Sequence, residues 1–190
     1  MPRCEVQRGE IRVPDREQAA EAAPPRFGIE QPERGLRSVH RGDLLAAQAG
    51  RRVTAVDISE AALGLLGTEA RRRGLGDLIT VRHADLAALH LAPRHYALVL
   101  CTGFWDRAVF AEAAQSVAPG GLLGWEAFTL AALRARPKLC ADWCLAPGEP
   151  ASLLPADFEV IRIWDLPANE PGTKRRLLAR RMTTPGPAGG

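Results

Sequence analysis

No apolar run in this 190-residue chain approaches the roughly 18 residues that cross a bilayer, so no membrane-spanning helix is expected. The opening stretch MPRCEVQRGEIRVPDREQ carries charge where a secretory leader needs unbroken apolar residues, which points to a cytoplasmic protein. Long basic blocks are missing as well: the densest clusters are the triplets Arg71–Arg73 and Lys174–Arg176. With 25 Lys and Arg against 22 Asp and Glu, the net charge of +3 is too small and too dispersed for a nucleic-acid binder. Cysteine is scarce, and Cys4, Cys101, Cys140 and Cys144 make no disulfide framework in a chain this long. Cys140 and Cys144 lack the second ligand pair of a zinc site, so both read as ordinary thiols around Trp143 and no metal is expected. What remains, 46% hydrophobic and 25% charged residues, is the composition of a globular domain with a single core.

The character of the chain changes near residue 43. Residues 1–42 form an atypical, charged segment and a candidate for disorder. Up to Asp43 the chain carries eight Arg and eight acids, with prolines at 14, 24, 25 and 32 and no run that reads as a buried strand. A weak helix over 16–23 is the most its composition allows. From 43 to 182 short apolar strands alternate with amphipathic helices. The helix over 43–50 stops at Gly50, and the β-branched run VTAVD (Val53–Asp57) reads as a strand buried on both faces. Ser59 caps the next helix, with Ala62, Leu65, Leu66 and Ala70 on its buried side and Arg71–Arg73 at its negative end. Strands follow over 78–81, 96–101 and 122–128, and Asp106 caps a helix that buries Val109, Phe110, Ala113 and Val117. FEVIRIW and RRLLARR read as an antiparallel pair, and 183–190 as a loose tail. This order predicts an α/β fold, a doubly wound and mostly parallel sheet ending in an antiparallel strand pair. Ligands of such sheets sit beyond the carboxyl ends of the strands, which gathers Asp57, Asp85 and the 101–105 loop on one rim.

Two acids on that rim suggest a nucleoside. Asp57 ends its strand just before a helix, where a carboxylate accepts hydrogen bonds from both hydroxyls of a ribose. The plainer reading is a helix-dipole acid, but Ser59 already supplies the cap. Asp85 ends the next strand and can receive the amino group of adenine, with Leu86 against the ring; the plainer reading is a surface loop acid.

With these residues in place, the chain resembles the class I S-adenosylmethionine (SAM)-dependent methyltransferases, in particular their small tellurite-resistance-type branch. The resemblance is carried by RRVTAVDISEAAL, VRHADL, YALVLCTGFWDRAVF, APGGLLGWEAFT and PGEPASLLPADFEVIRIWD, in that order from 51 to 165. It implies a Rossmann-like fold and SAM as cofactor. It implies further that Asp57 binds the ribose with Ile58 on the adenine, that Asp85 and Leu86 hold the adenine edge, and that Cys101 and Thr102 lie near the methionine portion. Phe104 and Trp105 would line a pocket for a small-molecule acceptor. The reaction implied is direct displacement, which needs alignment and exclusion of water rather than an obligatory acid or base. His83, His90 and His95 read as solvated surface residues.

One part of the pattern is missing. About 20 residues before the ribose acid such chains carry a buried strand and a Gly-rich turn that lets the backbone approach the cofactor. Here that interval reads PERGLRSVHRGD, with only Gly35 and Gly42 and no apolar strand before them. Without a first strand, the strands bearing Asp57 and Cys101 lack a shared neighbour, and each unpaired backbone group costs about 1–3 kcal/mol. Three explanations fit: the segment is not the natural continuation of the domain, the fold has lost SAM and acts as an interaction protein, or another loop does the same work. An oxidoreductase is disfavoured because it needs the same turn. The Tyr-x-x-x-Lys pair of short-chain dehydrogenases is also missing, since the sole tyrosine, Tyr96, is followed four residues on by Leu100.

Overall fold

The computed structural model describes residues 10–14, 41–166 and 173–183. The expectations for GLRSVH, for a helix over 16–23 and for most of the tail lie outside them. β1 (Glu10–Pro14) is followed by α1 (Arg41–Gln48), β2 (Val53–Asp57), α2 (Glu60–Arg72), β3 (Ile79–His83) and β4 (Tyr96–Thr102). Then come α3 (Arg107–Ser116), β5 (Val117–Phe128), β6 (Phe158–Asp165) and β7 (Lys174–Arg181). The strands form one sheet in the order β3-β2-β1-β4-β5-β7-β6. β2 runs parallel to β3 and β4 parallel to β5, while β7 lies antiparallel between β5 and β6 as expected. The α/β, doubly wound architecture is the one read from the sequence.

The first strand corrects that reading. A strand does exist in the segment judged to hold none, and it occupies the central slot between β2 and β4. Its direction is reversed: Ile11 to Pro14 pair antiparallel with Val56 to Val53, and Glu10 to Arg12 with Thr102 to Leu100. The backbone groups that β2 and β4 turn toward each other are therefore supplied with partners.

Local chemistry accounts for most of the other boundaries. Gly50, at φ +76°, provides the left-handed residue that ends the turn after α1. Ser59 Oγ accepts from Ala62 N at the start of α2, and Asp106 Oδ1 accepts from Ala108 N and Val109 N at the start of α3. At the end of α2, Arg72 and Arg73 turn back to Glu69. Hydrogen bonds from Arg72 and then Arg73 hold its carboxyl down to about 2. The buried stripe of α2 is Leu63, Leu66 and Ala70, whereas Leu65, expected inside, is 54% exposed. β5 begins at Val117, directly from α3, rather than at 122.

Alternate residues of β2 serve two cores. Val53 and Ala55 pack with Leu44, Ala47, Leu63, Leu66 and Ile79 under α1 and α2. Val56 joins Val99, Cys101, Phe110, Leu123, Trp125 and Leu177 on the α3 side. There Trp105, Phe110 and Trp125 meet with ring centroids 5.1–6.1 Å apart, contacts worth about 0.5–1.5 kcal/mol each beyond their burial. An Ile11→Pro substitution removes a ladder donor from the middle of β1 and leaves a carbonyl unpaired. The expected cost in urea unfolding is about 2 kcal/mol, and a loss within the roughly 0.5 kcal/mol of a surface change would contradict the placement of β1.

Candidate functional site

The strands that share a direction bring their carboxyl ends to one rim, and the register sets the order of residues along it. His83 stands opposite Asp57, Glu10 opposite Thr102, Thr102 opposite Glu126, and Glu126 opposite Arg176. With β1 between them, Asp57 and Thr102 lie two strand spacings apart, about 10 Å.

Asp57 is buried at 4% exposure, and its Oδ1 accepts from Ser59 N at 2.7 Å. It thus fixes the turn into α2 while Ser59 caps the helix, so the two readings of this acid are compatible. A carboxylate has about four lone-pair directions and can accept from more than one donor. The Asp57 carbonyl accepts from Ala84 N at 3.2 Å, which ties the end of β2 to the turn carrying Asp85. Asp85 is exposed; its Oδ1 accepts from Ala87 N at 3.0 Å and caps the short 3₁₀ turn Leu86–Ala88. Half-buried Ile58 is held by His83, whose Nε2 donates to the Ile58 carbonyl at 2.8 Å, with Nδ1 3.4 Å from Glu60. His83 therefore does more than face solvent: it secures the turn between Asp57 and Ser59. His90, 94% exposed beside Glu112, is a surface residue.

The structure gathers Asp57, Ile58 and Asp85 at adjoining strand ends. It treats the remaining predicted residues differently. Leu86 is buried at 4% in the α3-side core with Cys101, which is fully buried. The side-chain oxygen of Thr102 is buried and finds no partner among the described residues. Phe104 and Trp105, expected to line an acceptor pocket, are 8% and 1% exposed and belong to the core. Their loop is held by two hydrogen bonds: Gly103, at φ +75°, donates its N–H to the Glu126 carbonyl at 2.8 Å, and Trp125 Nε1 donates to the Phe104 carbonyl at 3.0 Å. Two aromatic anchors thus hold the backbone of the rim from within. Cys140 and Cys144 are not a matched pair of thiols: Cys140 is disulfide-bonded, while Cys144 is free and buried, its thiol pushed up by burial.

Sequence reasoning missed Glu126 and Glu149. Glu126 is 9% exposed and receives Lys174 Nζ and Arg176 Nε, both at 2.6 Å. Burial raises its pKa, but the hydrogen bonds and charges of Lys174 and Arg176 outweigh burial and hold the carboxyl below the ordinary range. The signal was a lone acid inside the apolar strand LLGWEAF. Glu149 accepts from Arg107 Nε at 2.7 Å and from Ala146 N at 2.8 Å, pinning the segment before β6 to the start of α3. Among the described residues no cluster of His, Cys, Asp and Glu is arranged for a metal, and no helix is long and apolar enough to cross a membrane.

A sheet of this order with helices between its strands is a Rossmann-like fold, here with its first strand antiparallel to both neighbours. Residues 41–121 match the family profile described as a methyltransferase domain. No curated protein matches the sequence. Among solved structures, geranyl diphosphate methyltransferase in complex with SAM is 15% identical, with 75% of this chain and 74% of that one aligned and a TM-score of 0.59. The N-methyltransferase NodS from Bradyrhizobium japonicum WM9, in complex with S-adenosyl-L-homocysteine, is 15% identical over 68% of this chain and 66% of its own, with a TM-score of 0.52. The [4+2]-cyclase SpnF is 17% identical over 76% and 71%, with a TM-score of 0.56. These likenesses establish the fold.

Because the Glu126 carboxyl titrates below its ordinary pKa in the folded state, its contribution to stability is complete above about pH 4.5 and fades as pH falls through the folded value. Glu126→Gln should cost about 1–3 kcal/mol at neutral pH and flatten the acid limb of the stability curve. Unfolding midpoints measured from pH 7 to pH 3 check this, and parallel curves for both proteins would contradict it.

Proposed function

We propose that this chain is a SAM-dependent methyltransferase that moves a methyl group to a small-molecule acceptor by direct displacement. The observation that carries the reading is the buried Asp57 at the end of β2, tied through its backbone to the turn that presents Asp85. Both lie inside the stretch that matches a methyltransferase domain. Support also comes from the structural relatives crystallised with SAM or S-adenosyl-L-homocysteine. Within that class, the small tellurite-resistance-type branch is the resemblance carried by the sequence itself.

The residues fit such a cofactor in kind. A buried carboxylate, an exposed carboxylate on the adjoining turn and a buried hydroxyl with no partner among the described residues are what a nucleoside with a polar tail requires. In this reading Asp57 accepts the ribose hydroxyls and Ile58 packs on the adenine. Asp85 takes the adenine amino group above a floor that includes Leu86, and Thr102, backed by Cys101, borders the methionine portion. When bound, SAM supplies a methyl carbon already activated by its sulfonium charge. The chain has to bind, orient and exclude water, and no side chain is obliged to carry a proton. Phe104 and Trp105 act from the core by fixing the loop that the acceptor would meet.

The reversed β1 favours a second reading. A parallel first strand would leave the rim through a Gly-rich turn, whereas here the rim meets the beginning of β1 at Glu10. A fold so altered can persist as an interaction protein that no longer binds SAM, and SpnF, described as a [4+2]-cyclase, is a structural relative described by another reaction. Calorimetric titration with SAM separates the two. Saturable binding that Asp57→Ala weakens by at least about tenfold, the loss of one or more charge-assisted hydrogen bonds, supports the methyltransferase. Silence at millimolar SAM, or unchanged affinity in Asp57→Ala, overturns the enzyme or the role of Asp57 respectively.

A further inference from the structure

β6 is the last strand of the sheet, and among the described residues it pairs with β7 and with nothing on its outer side. β3 closes the other end of the sheet in the same way but exposes a single large apolar side chain, Val81. β6 exposes three, Val160, Ile161 and Ile163, each 40–45% exposed. Met182, also exposed, donates its N–H to the Asp157 carbonyl and extends the apolar surface at the start of the strand. An apolar edge of this length is a template for a further strand.

A one-residue slip between Val160 and Arg162 gives that edge an unusual pattern. In a regular strand, residues 159 and 162 point to opposite faces. Here Glu159 stands opposite Arg180 and Arg162 opposite Leu178, two residues apart on β7, so the slip brings both charges to one face. Phe158 and Ile163, opposite Arg181 and Leu177, share the other face. The segment is thereby complementary to itself. Laid antiparallel to a second β6 about an axis between Val160 and Ile161, it sets Glu159 against Arg162, Phe158 against Ile163 and Val160 against Ile161. A two-fold contact repeats each of these pairs on either side of the axis. The charges are available for it. Asp165 is already matched by Arg175, but among the described residues Glu159 forms no ion pair, even with Arg180 across from it. Arg162 lies over the Trp164 ring, 4.8 Å from its centroid, on the same face.

We propose that β6 is the dimerisation edge of this protein. It pairs antiparallel with β6 of a second copy, joining two seven-stranded sheets into one, with Glu159 of each copy facing Arg162 of the other. Backbone hydrogen bonds along the edge supply affinity, and the side-chain pairs fix the register. β6 lies at the far end of the sheet from β2, so the contact is independent of whatever binds beside Asp57.

Sedimentation velocity of the full chain at low salt, from micromolar to submillimolar concentration, tests this. The expected result is a monomer–dimer equilibrium. Glu159→Arg and Arg162→Glu each set like charges against one another twice, and each should weaken the dimer at least about tenfold. Mixing the two variants restores opposite charges at both sites and should yield a mixed dimer. The double variant Glu159→Arg/Arg162→Glu should dimerise by itself. A monomer at every concentration, a dimer indifferent to the single changes, or no recovery in the mixture and the double variant would overturn the proposal. Amide hydrogen exchange in the unaltered protein supplies a second reading that no folding defect can blur. Amides within 158–163 should gain protection as concentration rises, while those of β3 stay as they were. Protection at β6 that is independent of concentration assigns the edge to another segment of the chain, and that result too overturns the proposal.

Discussion

The structure depends on the hydrogen-bonding demand of two strand edges. β2 and β4 carry the apolar runs VTAVD and YALVLCT and turn one edge each toward the same gap. An empty gap would leave buried N–H and C=O groups unpaired at about 1–3 kcal/mol apiece, a sum no small domain can carry against a net stability of about 5–15 kcal/mol. Five residues, Glu10–Pro14, meet that demand with seven pairings, four to β2 and three to β4. Either strand direction can satisfy the backbone, so the sheet keeps its order although β1 runs the opposite way.

Direction does matter for chemistry. Reversal places Pro14, where β1 ends, away from the rim and Glu10, where β1 begins, on it. The other strand ends keep their places. Asp57 is fixed by Ser59, its carbonyl holds the Asp85 turn, His83 secures Ile58, and the aromatic cluster beneath Phe104 and Trp105 stiffens the neighbouring loop. Beyond them, buried Glu126 closes the row by pairing with the partly exposed Lys174 and Arg176, which joins β5 to β7. The rim thus runs from the carboxylates at and after the ends of β2 and β3 to the ion pairs of Glu126 with Lys174 and Arg176.

What the sequence disclosed was chemistry that acts locally. β2 was legible because a β-branched run between a glycine stop and a capping serine has few alternatives, and Asp106 and Ser59 cap helices through contacts two or three residues away. The antiparallel β6–β7 pair was legible from its polar connection. β1 was hidden because EIRVP alternates charge with branched residues and ends in proline, a pattern typical of an edge or a loop rather than of a central strand. Its direction depends on partners about 40 residues away in β2 and about 90 away in β4. Leu63 and Leu65 could not be told apart by helical spacing alone, since only the packing of α2 on β2 decides which faces inward. In the site, Asp57 and Asp85 were legible as strand-end acids. The burial of Phe104 and Trp105 was not, because a strand-end aromatic faces the core or the cleft according to what α3 and β5 place beneath it. Glu126 was passed over because its partners arrive from β7, 48 and 50 residues later.

The most direct test of this account is the pairing of β1, read by nuclear Overhauser contacts between backbone protons across the strands. The account predicts cross-strand contacts of Ile11 with both Val56 and Cys101, and of Val13 with Thr54, in the antiparallel pattern. A parallel pattern, or no contact between 10–14 and either neighbour, would contradict it.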